Sequence, residues 1–263
     1  MADFKLEMKN VSKSFPGVKA LDNVQLSVRP GTVHALMGEN GAGKSTMMKI
    51  LYGIYPIDGG DIEIYDKKMK DYTTKEAITL GIGMVHQEFM LVNEMTVLEN
   101  IILGFEPKHS IAMVDFNEAK SKVLEYVKKY DLDIQINKKI KDISVGEAQR
   151  VEIIKTLYRG ADILILDEPT AVLTTQETTE LFKELKHLKE QGYTLIFISH
   201  KLNEIMEITD RLSILRGGKF MGVYETKDVT PEKISRLMVG RDVVLQVQKD
   251  AAKPTEEILR VRD

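Results

Sequence analysis

No cysteine occurs anywhere in the 263 residues. Disulfides, thiolate metal sites and a cysteine nucleophile are therefore excluded, and the absence fits a reducing compartment. Nor does any apolar run approach the roughly 20 residues that a membrane span requires, so a role at a membrane is expected to be peripheral. The opening segment MADFKLEMKN has no apolar h-region and does not read as a secretory signal. A surplus of positive charge is missing too: 37 Lys plus Arg face 40 Asp plus Glu, for a net charge of -3. That balance argues against a nucleic-acid binder that relies on bulk charge, and no nucleic-acid partner is expected. What the chain does have is 43% hydrophobic residues, enough for a substantial core in one large domain or one domain with a lobe.

The order of elements follows from periodicity. Alternation through Leu6 and Met8, and through Val24, Leu26 and Val28, predicts strands at the amino end. TVHALMG is a short strand that runs into ENGAGKS and then a helical stretch, STMMKILYGI. DIEIYDKKM alternates again after Gly59-Gly60, predicting an antiparallel sheet beside the TVHALMG strand, and GIGMVHQ is a further strand. From about Glu88 to Arg159 the period turns helical, as in TVLENIILG and NEAKSKVLEYVKKY, which predicts an inserted helical lobe. DILILDE, a helix from Thr174 to Gln191 ended by Gly192, TLIFIS and another helix follow. DRLSILRGGKFMGVY reads as a hairpin around Gly217-Gly218, and Thr230-Pro231 opens a last helix that Gly240 ends. Strands alternating with helices imply an α/β fold with a mostly parallel sheet.

GENGAGKS fits G-x-x-x-x-G-K-[ST] at Gly38, Gly43, Lys44 and Ser45. Glycines let backbone N–H groups converge on phosphate oxygens, a lysine reaches the β- and γ-phosphates, and the hydroxyl binds Mg²⁺. The motif follows an apolar strand and precedes a helix, whose N-terminal end adds positive potential. Nucleotide is therefore expected on Gly38, Glu39, Asn40, Gly41, Ala42, Gly43, Lys44, Ser45 and Thr46. A phosphate loop alone is compatible with a kinase, a GTPase or a motor. ILILDEP narrows this: Ile163 to Leu166 make a buried strand, so Asp167 emerges at its carboxyl end, where it can hold the Mg²⁺ shell. Glu168 follows, able to orient or deprotonate an attacking water.

Taken together, these residues resemble the ATP-binding-cassette (ABC) ATPase family, and the resemblance runs from about Leu6 to Gly240. It implies a P-loop NTPase fold with a mostly parallel core sheet, an antiparallel β subdomain and an inserted helical subdomain. Gln87 matches the family's glutamine that touches Mg²⁺ and water and leads to the transport subunit. ISVGEAQR matches the signature, placing Ser144, Gly146 and Glu147 on the nucleotide of a facing cassette. DEPTAVLT matches the Walker B stretch and the D-loop, His200 the switch histidine, and Phe15 the aromatic that lies against adenine. The implied ligands are ATP and Mg²⁺, with Ser45, Gln87 and Asp167 toward the metal and Glu168, His200 and Gln87 at the chemistry. Two cassettes are then expected to close head to tail over ATP, with hydrolysis reopening them and driving membrane permease subunits. His34 and His86 have no counterpart and are read as having no chemistry.

Some positions depart from the commonest ABC pattern: Val145 stands for a usual Gly, Glu147 for a usual Gln, and Thr174 for the D-loop Asp. Both regions admit a local explanation, since Ser144 with Glu147 and Thr174 with Glu177 have capping-box spacing. A carboxylate at 147 should weaken an anion site unless it is turned away or paired. Ser-Val-Gly-Glu, FPGVKALDNV, LDEPTAVLT and LMVGRDV resemble the importer branch for simple sugars and nucleosides, in which two cassettes are fused in one polypeptide. The expected organisation is thus a cassette over 1–243 with its helical subdomain at about 88–159, a linker over 244–256, and the start of a second cassette over 257–263, where EILRVRD resembles FKLEMKN. The implied partners are that second cassette (or another copy), the permease and, indirectly, a solute-binding protein. The implied location is the cytoplasmic face of the membrane. The alternative is a soluble ABC ATPase acting on ribosomes or DNA; the long charged linkers or coiled-coil insertions usual there are not visible in the sequence.

Overall fold

The computed structural model describes residues 3–110 and 113–241. The expected linker and second-cassette start, over 244–263, lie outside the described residues. In chain order the strands are β1 (Leu6–Phe15), β2 (Val18–Val28), β3 (Val33–Met37), β4 (Gly59–Ile64), β5 (Lys67–Met69), β6 (Ile82–Val85), β7 (Lys108–Ser110), β8 (Met113–Val114), β9 (Ile163–Asp167), β10 (Thr194–Ile198), β11 (Arg211–Arg216) and β12 (Lys219–Glu225). The helices are α1 (Lys44–Leu51), α2 (Thr74–Thr79), α3 (Val97–Ile102), α4 (Phe116–Tyr130), α5 (Val145–Tyr158), α6 (Thr175–Glu190), α7 (Leu202–Ile208) and α8 (Pro231–Val239).

Alternation within the central strands explains the layering. The six-stranded sheet has the order β12-β11-β3-β10-β9-β6, parallel except for β12. Leu164, Leu166, Leu195 and Phe197 point into one core, with α6 and the helical lobe. Ile163, Ile165, Ile196 and Ile198 point into the other, with α1 and the antiparallel sheet. Both faces are covered, as a parallel sheet requires, which is why ILIL and LIFI read as unbroken apolar runs. The antiparallel sheet, β2-β1-β4-β5, lies where DIEIYDKKM predicted it.

The region over 88–159 is less uniformly helical than its period suggests. A short hairpin, β7 with β8, separates α3 from α4. The Asp115 N–H donates to the Pro107 carbonyl (2.8 Å) across the base of that hairpin. Asp115 also caps α4 by accepting from the N–H groups of Asn117 (3.0 Å) and Glu118 (2.9 Å). A two-strand device this short carries too few residues for period 2 to register, and α2 is likewise too short for period 3.6. The final helix conforms to its sequence signals: Thr230 caps it, Pro231 opens it and Gly240 ends it in the left-handed region.

Candidate active site

The phosphate loop closes between β3 and α1, at the carboxyl edge of the parallel sheet. Gly43 caps α1 with φ of 102°, and a Cβ there would stand 2.6 Å from Leu21 Cδ2 and 2.8 Å from the Ala20 carbonyl oxygen. Only glycine fits that position. The first turn of α1 holds no acid, so its positive end faces an anion without competition. Lys44 is 6% exposed, and its Nζ donates to the carbonyls of Gly38 (2.7 Å) and Glu39 (3.0 Å), which folds the ammonium back over the loop. Burial pushes the Lys44 amine down, while the charges of Glu168 and Asp167 oppose that shift.

A cleft of about 720 Å³ opens over this loop. It gathers Asn40 to Thr46 with Phe15, Gln87, Asp167 and Glu168, residues that the sequence singled out from four separate segments. Gly38 and Glu39 serve it from behind, through the Lys44 bonds. Phe15 lies at the rim, edge-on to Tyr55 at 5.3 Å. Val18, Lys19, Ala20 and the Gly217-Gly218 turn also line the cleft. The sequence marks those two glycines only as a hairpin turn. Their second task, Gly218 N–H to the Ala42 carbonyl at 3.2 Å, comes from the β11–β3 pairing and leaves no local signal.

The two carboxylates part company at the end of β9. Burial, and then the neighbouring Glu168 charge, push the Asp167 carboxyl above its ordinary range, while His86, Lys44 and Lys49 act the other way. Glu168 adopts φ of 48°, a left-handed conformation that a non-glycine residue holds only when its surroundings fix it. Its N–H donates to the Ile198 carbonyl (3.0 Å), and its Oε1 lies 3.0 Å from His200 Nδ1. The catalytic candidates Glu168 and His200 are therefore in contact, although they come from different strands. Ser45, Gln87 and Asp167 share the cleft as one carboxylate and two neutral oxygen donors. That hard, sparse set fits Mg²⁺, which takes one or two carboxylates and completes its shell with phosphate and water.

Ser144, Gly146 and Glu147 do not line this cleft. They form the first turn of α5, where the Ser144 Oγ accepts from the Glu147 N–H (3.2 Å) and the Glu147 Oε2 accepts from the Ser144 N–H (2.8 Å). The capping box expected from sequence thus forms, and it turns the Glu147 carboxylate back onto the cap. The box of Thr174 and Glu177 forms likewise at the start of α6 (2.9 and 3.3 Å). Glu177 then lies against the signature turn: a Cβ on Gly146 would stand 2.8 Å from Glu177 Oε1. Arg150 strengthens the same contact, through Nη2 to Glu180 (2.8 Å) and Nε to Glu184 (2.6 Å).

Three residues beyond Gln87, Met90 is clamped to α5 by two hydrogen bonds. Met90 N–H donates to Glu152 Oε1 (2.7 Å), and Lys155 Nζ donates to the Met90 carbonyl (2.6 Å), with Glu152 and Lys155 both buried. His86 sits beside this clamp, edge-on to Tyr52 at 6.2 Å. His34 is fully buried in β3, its Nε2 2.9 Å from Ser213 Oγ.

The sequence profile described as ABC transporter matches residues 21–171 of this chain. A nucleoside import ATP-binding protein of Lactococcus lactis, NupA, is 47% identical over 258 residues, covering 98% of this chain and 51% of that protein. A putative ribose/galactose/methyl galactoside import ATP-binding protein of Burkholderia cenocepacia is 43% identical over 263 residues, covering 100% of this chain and 50% of that protein. The chain therefore spans about half the length of the curated relatives it matches. Among solved structures, a dimeric post-hydrolysis state of an ATP-binding cassette bound to ADP and Pi superimposes with a TM-score of 0.72. It is 28% identical and covers 84% of this chain and 98% of that one.

Proposed function

The chain belongs to the ABC transporter family, and from that premise we propose that it is an ATP-hydrolysing cassette of an importer for a nucleoside or simple sugar. The observation that carries the reading is the convergence of Lys44, Ser45, Gln87, Asp167 and Glu168 on one cleft at the edge of a parallel sheet. ATP is the substrate. Its phosphates lie on the loop amides and α1, with Lys44 released from its carbonyls toward the β- and γ-oxygens, and adenine lies toward Phe15. Ser45, Asp167 and Gln87 would hold Mg²⁺, which would neutralise charge on the phosphates when bound. Glu168 positions a water in line with the γ-phosphorus and takes its proton as the P–O bond to ADP breaks. His200, 3.0 Å from Glu168, stands beside the transferring group.

The Ser144 turn does not line its own cleft, which is in keeping with a sandwich in which it meets the nucleotide of a second cassette. That second cassette is either another copy or the remaining half of a protein twice this length, with 257–263 as its start. That the solved cassette bound to ADP and Pi is dimeric is in keeping with a pairing of two cassettes. The importer names of the relatives favour transport over action on ribosomes or DNA. Among the described residues no helix is long and apolar enough to cross a membrane. Permease subunits, and through them a solute-binding protein, are then the partners, with the cassette at the cytoplasmic face of the membrane.

The test is MgATP binding and turnover in the wild type and in Glu168→Gln. Turnover should fall by at least about a hundredfold in the variant while MgATP affinity stays within about twofold. Unimpaired hydrolysis would sink the role given to Glu168, and a wild type that binds no nucleotide would sink the reading as a whole.

A further inference from the structure

A polar knot with a buried carboxylate at its centre adjoins Glu168 and His200 in the chain, and none of its residues lines the nucleotide cleft. Its centre is Glu204, in the first turn of α7 and 8% exposed. The Thr170 hydroxyl donates to this carboxylate, 2.7 Å from Oε1 and 2.8 Å from Oε2, and the Ser199 hydroxyl donates to Oε2 at 2.9 Å. Lys201 Nζ lies 2.9 Å from Oε1 and also donates to the Thr170 carbonyl (3.1 Å). The Lys201 N–H returns to the Ser199 hydroxyl at 3.0 Å. Thr170 and Ser199 are each 2% exposed.

The positions of these groups along the chain give the knot its consequence. Thr170 follows Glu168 by two residues, and Ser199 and Lys201 flank His200 on either side. One carboxylate therefore ties the segment after β9 to the segment after β10, immediately beyond the pair at 3.0 Å. Glu168 needs such a tether, since its left-handed backbone (φ 48°) relaxes unless the residues after it are fixed. The Glu168 carbonyl already accepts from the Ala171 N–H (3.1 Å), so the turn that carries the strain is the turn that Thr170 anchors. The Glu204 carboxylate is held chiefly by the two buried hydroxyls, and losing either leaves it underpaired at a desolvation cost; Lys201 reaches it from the exposed side.

We propose that Glu204, with Thr170, Ser199 and Lys201, is the positioning device that sets Glu168 against His200 for hydrolysis. The inference rests on the ATPase reading above. The knot acts on geometry rather than on nucleotide affinity, since the phosphates are held by the loop and α1 on the other side of Glu168.

Three variants separate this from simple structural support. Thr170→Val removes the donated hydrogen at nearly constant shape, Thr170→Ser restores it, and Glu204→Gln keeps an acceptor but removes the charge that Lys201 faces. MgATP turnover and affinity are measured in the 263-residue chain, together with the ring resonances of its five histidines by NMR. Thr170→Val and Glu204→Gln should lower kcat by about tenfold to a hundredfold, the scale of a misplacement near 1 Å, with MgATP affinity held within about twofold. Thr170→Ser should recover most of kcat. The His200 ring signals should move in the two damaged variants and return in Thr170→Ser, a readout that needs no turnover, while those of His34 stay in place. Wild-type kcat and unmoved His200 signals in Thr170→Val and Glu204→Gln would overturn the inference. So would parallel losses of kcat, affinity and melting temperature. A wild type that neither binds nor hydrolyses ATP would instead remove the reading beneath it.

Discussion

His34 and Gly43 illustrate how much one side chain, or the lack of one, can decide. Burial, aided by the Arg211 and Arg29 charges, drives the His34 imidazole down to about 3 from 6.5. The folded protein thus keeps His34 neutral while the unfolded chain protonates it near 6.5. Below that pH the unfolded state binds one more proton, so stability falls as the solution is acidified from about 6.5 toward 3. The slope should approach about 1.4 kcal/mol per pH unit from this residue alone. Urea midpoints at pH 7 and 5 check it, and His34→Leu combined with Ser213→Ala should remove that contribution. At Gly43 the prediction is geometric. Gly43→Ala must place a Cβ 2.8 Å from the Ala20 carbonyl oxygen in a left-handed conformation. The conformation alone costs about 1–2 kcal/mol, and the clash adds to it. Calorimetry should register the destabilisation, and nucleotide titration a loss of affinity of at least tenfold.

Elements are where sequence and structure agree most, and where the reasons for their differences are clearest. The helix starts at Ser144, Thr174 and Thr230 were legible because a cap is a contract between residues two or three apart. The same holds for the phosphate loop and for the buried strand that delivers Asp167. The Glu204 knot, the Met90 clamp and the Gly218 contact join residues far apart in sequence, so no local pattern announces them. The joint between α5 and α6 belongs to this hidden class. Arg150 is largely buried against Glu180 and Glu184, and burial already pushes the Glu184 carboxyl up against the pull of Arg150. Arg150→Met should therefore cost about 2–4 kcal/mol by leaving Glu184 unpaired, and adding Glu184→Met should recover part of that loss. Chemical denaturation of the single and double variants tests both statements.

At the scale of the whole molecule, the proposed site is split between the cleft and a helix start that does not line it. In the proposed sandwich the two halves of the site answer differently to mutation. Ser144→Ala should leave MgATP affinity of the single chain within about twofold, while removing a cap worth about 1 kcal/mol. In a Glu168→Gln background, sedimentation with MgATP should reveal nucleotide-dependent pairing of chains, and Ser144→Ala should weaken that pairing. Equal sedimentation with and without MgATP would count against a sandwich of two copies.

The contact between Gly146 and Glu177 also carries an evolutionary consequence. Each position limits what the other can become: a side chain at 146 would meet the carboxylate at 2.8 Å, and that carboxylate is fixed by its own helix cap. Glycine at 146 and glutamate at 177 should thus be inherited as a pair across lineages. Where descent has replaced the glycine, a shorter residue should have appeared at 177, and a reconstructed ancestor carrying only one of the two changes should fold less well than either end point.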